Sequence, residues 1–258
     1  MEKTQHIVIL AAGDFPTHPV PLRALREADF VVCCDSAYGE WKAESGKWKE
    51  KIPFVVVGDG DSLPEADKRE LGDRWVQVDE QDYNDLHKAM AYAMSGEWRV
   101  ESGEWRTESG EHLSPNALCS PFSVLHSPFS TLHSPFSTLH FQILGATGRR
   151  EDHTLGNISY LVTFAEEYPG ADIEMLTDHG RFCTFSGTRT FSAFPHQQVS
   201  IFTLDPATAV SSEGLRWPLD RFHPTRWWQA TLNDVLADSF TLVADGPVIL
   251  FRTYAPKV

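Results

Sequence analysis

Short apolar runs alternate with helical stretches along the first two-thirds of the chain. HIVILAA (6–12), DFVVCC (29–34), PFVVVGD (53–59), RWVQV (74–78), FQILGA (141–146) and ADIEMLT (171–177) are compact and mostly rich in β-branched residues. That texture predicts strands buried on both faces of a parallel sheet. Helical patterns lie between them. PLRALREA (21–28) opens with a proline suited to a first helical turn. Ser62 and Glu65 have capping-box spacing around Pro64, ahead of a polar helix over about 63–71. DYNDLHKAMAYAM (82–94) places Leu86, Met90 and Ala93 on one face, and HTLGNISYLVTFAEEY (153–168) is a further helix. From about 180 the texture changes to alternating segments such as RTFSAF, QQVSIFTL, FTLVAD and PVILFRTY, separated by Gly, Pro and Asp. These predict a β-sandwich or barrel. The pattern therefore reads as α/β: an N-terminal parallel-sheet, Rossmann-like domain over 1–178, then a C-terminal all-β sandwich domain over 179–258.

Composition narrows the possibilities. Hydrophobic residues make up 41% of the 258, enough to bury a core in one large domain or two modest ones. The formal charge of −14 repels phosphate backbones, and no local basic patch offsets it, so nucleic acid is not expected as a partner. MEKTQHIVILAAGDF has neither the basic region nor the apolar length of a signal peptide, and no run approaches a membrane span. Cys33, Cys34, Cys119 and Cys183 form no CxxC; they read as buried thiols in a reducing cytoplasm.

In an open α/β sheet, ligands bind at the carboxyl ends of the strands. The second apolar run ends in CCDSA, placing Asp35 there; the third ends in VVVGDGDSL, placing Asp59 and Asp61 there. In an extended segment, residues i and i+2 point the same way. Two carboxylates so placed invite a divalent cation such as magnesium, which takes a few carboxylates, water and substrate phosphates. An isolated Asp-Gly turn would carry the same pattern with no ligand. The fourth run is followed by VDEQDYNDLHKAM, where Asp82 and Asp85 open a helix and Lys88 lies one turn on. Helix capping and an ordinary ion pair explain those residues equally well. The fifth is followed by LGATGRREDHTLGN, a glycine-bearing turn with Arg149 and Arg150 at a helix start, which suits an anion. A Walker loop is absent. What carries weight is four successive strand ends bearing acids, amides or arginines, a set that fits phosphoryl-type transfer from a nucleotide.

The order of these motifs resembles the thiamine pyrophosphokinase family over nearly the whole chain outside 95–140. CDSA stands for an Asp-Gly-Gly-like segment, GDGDS for GDxDS, QDYNDLHK for QDxTD followed by lysine, and GATGRREDHTLGN for GATGxRxDHTLGN. EGLRWPL and WWQATLNDVLADSFTL resemble the family's C-terminal segments. The resemblance implies transfer of a pyrophosphoryl group from ATP to the thiamine hydroxyl, giving thiamine diphosphate and AMP. It also implies a magnesium-dependent α/β catalytic domain that binds ATP, and a β domain that helps build a homodimer. Carried over by motif, Asp59, Asp61 and Asp85 are the implied magnesium ligands. By the same resemblance, Lys88 and Arg150 would hold phosphates, and Asp152 would orient the reacting groups. Asp35, Gln81, Asp82, Asn84, Thr147 and Asn157 fall on the nucleotide side, and Thr231, Asn233 and Trp217 on the thiamine side. Asn84 stands where the family has threonine, and CDSA lacks the double glycine. His153 reads as a structural residue at a helix start, and Trp227 and Trp228 as core, interface or ligand-stacking residues. Two other readings stand beside this one: a pyrophosphokinase for a pterin-type alcohol, and a catalytically dead nucleotide-binding relative. The C-terminal WPL and TLN segments speak against the first, and the retained acids and arginines against the second.

One region stands apart. SGEWRVESGEWRTESGE (95–111) and SPFSVLHSPFSTLHSPFSTLH (120–140) are both heptad repeats, but recurring Gly in one and Pro in the other exclude a coiled coil. HSPFSTL can be encoded CAC TCT CCA TTC TCC ACT CTC, whose reverse complement translates as ESGEWRV, the heptad of the first arm. The insert thus reads as a translated inverted repeat with HLSPNALC at its tip, lodged as a flexible loop between helix and strand; ESGKWKE (44–50) is a weaker match to the same heptad. Loop-closure entropy grows slowly with length, so such an insertion is tolerable. A functional lid or partner-binding loop is the competing explanation. The coding nucleotides of the two arms are expected to be complementary. Sequencing the gene checks this, and arms that do not pair would remove the explanation.

Overall fold

The computed structural model describes residues 4–48, 51–96, 100–101, 104–105 and 139–256. The chain divides into two compact units, Met1–Glu151 and Asp152–Val258. This division falls in the first turn of a helix, upstream of the change in texture at 178–182.

The first unit runs β1 (Gln5–Leu10), α1 (Pro19–Arg26), β2 (Phe30–Cys34), α2 (Tyr38–Ser45), β3 (Phe54–Gly58), α3 (Glu65–Leu71), β4 (Trp75–Gln77), α4 (Asp85–Ser95), β5 (Val100–Glu101), β6 (Glu104–Trp105) and β7 (Leu139–Leu144). Its sheet has the order β7-β1-β2-β3-β4, parallel throughout. Ile7, Val8, Ile9, Val31, Val32, Val56, Val57, Phe141 and Ile143 are fully buried, as two covered faces require. α4 adds Leu86, Ala89, Met90 and Ala93 to this core. α1 starts at Pro19 with His18 as its cap, the ring accepting from the Val20 amide at 3.2 Å. The Ser62–Glu65 capping box is not made: Pro64 occupies the N-cap position in an extended conformation, and α3 begins at Glu65 without a side-chain cap. Of the 95–140 insert, β5 and β6 pair antiparallel, Val100 opposite Trp105. Most of the rest, with its expected flexibility, lies outside the described residues, as does Cys119. Cys33, Cys34 and Cys183 are free and buried.

The sheet reverses its direction of growth at β1. The chain builds outward through β2, β3 and β4, then returns past α4 to place β7 on the other side of β1. Backbone bonds tie the two loops at this switch point: Ala11 N–H to Leu144 O at 2.9 Å, Gly13 to Gly145 at 2.5 Å, and Asp14 to Thr147 at 2.8 Å. A Cβ on Gly13 would stand 2.3 Å from the Thr147 carbonyl oxygen, so only glycine permits the approach.

The second unit contains α5 (Glu151–Glu167), β8 (Asp172–Leu176), β9 (Gly180–Ser192), β10 (Gln197–Thr203), β11 (Val210–Glu213), β12 (Asn233–Asp234) and β13 (Ser239–Pro256). Its strands run β12-β10-β13-β9-β8, with β11 on β13. β13 is paired with β9 over most of its length, with a register break between Ala244 and Val248. Its other edge takes β11 before that break and β10 after it. Leu242 and Ala244 from one half and Val248 and Leu250 from the other enter a single core with Phe191, Val199, Ile201 and Phe240. Among the described residues, no helix is long and apolar enough to cross a membrane.

Ile143→Ala removes a fully buried side chain from β7, opposite Ile9 of β1. It is expected to cost about 2–5 kcal/mol, read from urea denaturation. A loss below about 1 kcal/mol would contradict close packing there.

Candidate active site

Three carboxylates converge at the carboxyl ends of β2 and β3 and the start of α4. Asp35, Asp59 and Asp85 each present an oxygen, and these atoms lie within 4.8 Å of one another. Asp35 opens a 3-10 turn directly after β2 and is 1% exposed. Its Oδ2 accepts the Gly60 amide at 3.0 Å, and its Oδ1 accepts the Ser36 amide. Gly58 makes this possible, because a Cβ there would stand 2.6 Å from the Asp35 Cγ. Asp85 is positioned by the N-terminus of α4, where the Asn84 side chain accepts the His87 amide at 3.1 Å and so caps the helix.

Lys88 is the cation of the cluster. It lies one turn into α4, almost fully buried, with Nζ 3.2 Å from Asp59 Oδ2 and 3.4 Å from Asp85 Oδ1. Partial burial pushes the Asp59 carboxyl up, but the Asp61 amide, Lys88 and Gln81 together outweigh it and hold it below the usual range. The Asp85 carboxyl goes the other way: burial and then the neighbouring Asp35 raise it to about 6, against the pull of Lys88. Burial depresses Lys88, yet its bonds to Asp59 and Asp85 carry it above its ordinary value. One ammonium cannot neutralise three carboxylates. All three donors are hard oxygens, so the set fits a magnesium-type cation.

The structure brings some of the sequence-expected residues to this cluster and leaves others apart. Gln81 reaches it, its amide donating to Asp59 Oδ2 at 3.4 Å. Asp61 does not join. β3 ends at Gly58, and Gly60 has φ +86°, so 59–61 is a turn and the i, i+2 rule for extended chain no longer holds. Asp61 is exposed and gives only its amide to Asp59 Oδ1, at 3.1 Å. Asp82 is exposed in the turn before α4, its amide donating to Glu80. Thr147 lies in the switch-point loop, where its carbonyl receives the Asp14 amide. Arg150 follows as an exposed residue. Arg149, with φ +56°, gives one nitrogen to the Ala12 carbonyl at 3.0 Å and pairs with Glu40. In the second unit, Asp152 is exposed in the first turn of α5 and accepts the His153 amide at 2.9 Å, while Asn157 is buried further along. Thr231 donates to the Trp228 carbonyl at 2.8 Å. Asn233 is buried and Trp217 is 57% exposed. Gly13 and Asp14 were not singled out from sequence. The signal was the AAGDF segment following the first apolar run, a strand end like the others.

The thiamin pyrophosphokinase catalytic domain matches residues 22–173, and the thiamin pyrophosphokinase substrate-binding domain matches 180–251. The chain belongs to the thiamin pyrophosphokinase family. Its fold is the mixed α/β fold of solved thiamin pyrophosphokinase structures. The Candida albicans protein is 17% identical with a TM-score of 0.75, covering 96% of this chain and 89% of that one. The yeast protein is 17% identical with a TM-score of 0.74, covering 98% and 87%. The Geobacillus thermodenitrificans protein is 20% identical with a TM-score of 0.62, covering 96% and 97%. No curated protein matches the chain by sequence.

The acid cluster of this thiamin pyrophosphokinase family member has a pH signature. Asp85 titrates near ~3.9 when unfolded and at about 6 when folded. The folded chain binds the extra proton between those values, so this stabilising contribution is complete below about pH 4 and is lost as pH rises through about 6. Urea midpoints of the metal-free protein measured from pH 4 to 7 are expected to carry this downward component, and Asp85→Asn to remove it. An identical pH dependence in the two proteins would show that Asp85 titrates normally.

Proposed function

We propose that the chain transfers the pyrophosphoryl group of ATP to the hydroxyl of thiamine, giving thiamine diphosphate and AMP. The observation carrying this reading is that the catalytic and substrate-binding domains of one enzyme family match in order along a single chain. The acid cluster is the chemistry the reading needs. A bond forms between the thiamine oxygen and the β-phosphorus, and the bond from that phosphorus to the α,β-bridging oxygen breaks. AMP leaves with the electron pair, and the hydroxyl proton passes to a carboxylate or to solvent. Asp35, Asp59 and Asp85 would hold magnesium, which would neutralise phosphate charge when bound. Lys88, which pairs with Asp59 and Asp85, would hold phosphate. Asp61 enters the magnesium set by motif alone, and Gln81 braces Asp59.

Other residues enter by motif: Arg150 would hold phosphates and Asp152 would orient the reacting groups, with Asn157 on the nucleotide side and Trp217, Thr231 and Asn233 on the thiamine side. In the same reading, a Rossmann-like catalytic domain precedes a β-sandwich domain, the enzyme is a cytoplasmic homodimer, and ATP and thiamine are its small-molecule partners.

Purified protein with thiamine, ATP and magnesium is expected to release AMP in a thiamine-dependent manner. Asp59→Asn removes a carboxylate from the cluster while keeping its shape, and is expected to lower kcat by about 10²–10³-fold or more with an unchanged circular dichroism spectrum. Absence of thiamine-dependent AMP from folded wild-type protein would sink the proposal. Near-normal turnover in the variant would remove Asp59 from the site.

A further inference from the structure

Asn233 makes a closed pair of hydrogen bonds with the main chain of one residue. Its Oδ1 accepts the Trp217 amide at 3.1 Å, and its Nδ2 donates to the Trp217 carbonyl at 2.7 Å. The same Oδ1 accepts the Asp234 amide at 2.9 Å. The side chain is 5% exposed, so both ends of the carboxamide are engaged in a dry setting. Trp217, by contrast, holds its indole 57% exposed. An exposed aromatic ring on a loop ordinarily samples several orientations. Here the backbone beneath it is gripped from both sides.

The surrounding contacts serve the same end. Leu215 bridges Val235, the Arg216 amide donates to the Asp234 carbonyl at 2.8 Å, and the Leu236 amide to the Gly214 carbonyl at 3.0 Å. Asp234 Oδ2 holds the Arg216 guanidinium at 2.9 Å, and that guanidinium lies 6.0 Å from the centre of the Trp217 ring. Leu232, next to Asn233, takes φ +59°, a conformation that costs free energy for a side chain of that size. The strain is localised where the chain must turn to deliver the carboxamide to Trp217.

We infer that Asn233 is a positioning residue that fixes Trp217 to receive an aromatic, cationic substrate, and does not itself touch that substrate. The inference rests on thiamine as the substrate. A flat heteroaromatic cation is what an indole face binds through stacking and cation–π attraction. A preorganised ring loses less entropy on binding than a mobile one. Releasing the clamp therefore weakens substrate binding and leaves the bond-making groups in the first unit as they were.

The test is a double-mutant cycle on thiamine-dependent AMP release, with thiamine binding followed in parallel by equilibrium dialysis. Asn233→Ala and Asn233→Asp are each expected to raise the thiamine KM and the dissociation constant about tenfold, with kcat and the ATP KM within about twofold. In Asn233→Asp a carboxylate oxygen replaces the donor to the Trp217 carbonyl, so the milder change should fail in the same way. Trp217→Ala should raise the thiamine KM at least as far, and the double variant no further than Trp217→Ala alone. Additive losses would show that Asn233 meets the substrate directly, and a Trp217→Ala enzyme with a normal thiamine KM would leave the clamp nothing to position; either overturns the inference. Because Trp217→Ala leaves the clamped backbone in place, a normal thiamine KM in that variant overturns the inference even if the Asn233 variants fail to fold. Wild-type protein that neither binds nor turns over thiamine would instead overturn the function on which the inference depends.

Discussion

Repulsion among Asp35, Asp59 and Asp85 is the constraint around which the first unit is organised. Three carboxylates within 4.8 Å of one another resist being brought together, and folding must supply that work. It comes from structure that has no other outlet. The buried parallel sheet fixes where β2 and β3 end, the missing side chain of Gly58 admits the Asp35 carboxylate, and the Gly60 amide holds it there. α4, anchored by Leu86 and Met90 in the core, delivers Asp85 and Lys88. Apolar burial away from the cluster thus offsets an electrostatic cost within it.

Lys88 shows how such a cluster is kept foldable. Its ammonium lies between Asp59 and Asp85, and both it and Asp59 are held in their charged forms by the pairing. Asp85 absorbs the remaining strain through its raised proton affinity. The three residues divide the work between them: one fixed anion, one fixed cation and one adjustable group.

Much of this was legible from the hydrophobic pattern. The apolar runs at 6–12, 29–34, 53–59 and 141–146 became β1, β2, β3 and β7 because residues with both faces buried leave an uninterrupted signature. α2 left none: Tyr38 and Trp41 are its only buried residues, too few to mark a helical face. α4 starts three residues later than its sequence pattern, since the 82–84 segment is turned by bonds to Glu80 and capped by Asn84. The candidate site was legible as a set of strand ends, not as a ligand list. Asp35 joins Asp59 and Asp85 through a close approach that only Gly58 allows, and Asp61 is turned away by the backbone at Gly60. Both outcomes depend on backbone conformation, which residue identity suggests only indirectly. Asn233 carries polar chemistry in a conspicuous motif, yet both ends of its carboxamide are engaged with main-chain groups.

β13 has a consequence for how the second unit is made. It is the strand on which β9, β10 and β11 all pair, and it follows every one of them in the chain. On a ribosome, those three strands emerge before the partner that satisfies their backbone groups. Until β13 is synthesised, their edges and the apolar faces of Phe191, Val199 and Val210 stay open to wrong partners. The order of synthesis therefore makes rapid completion of β13 favourable for this unit to reach its native pairing.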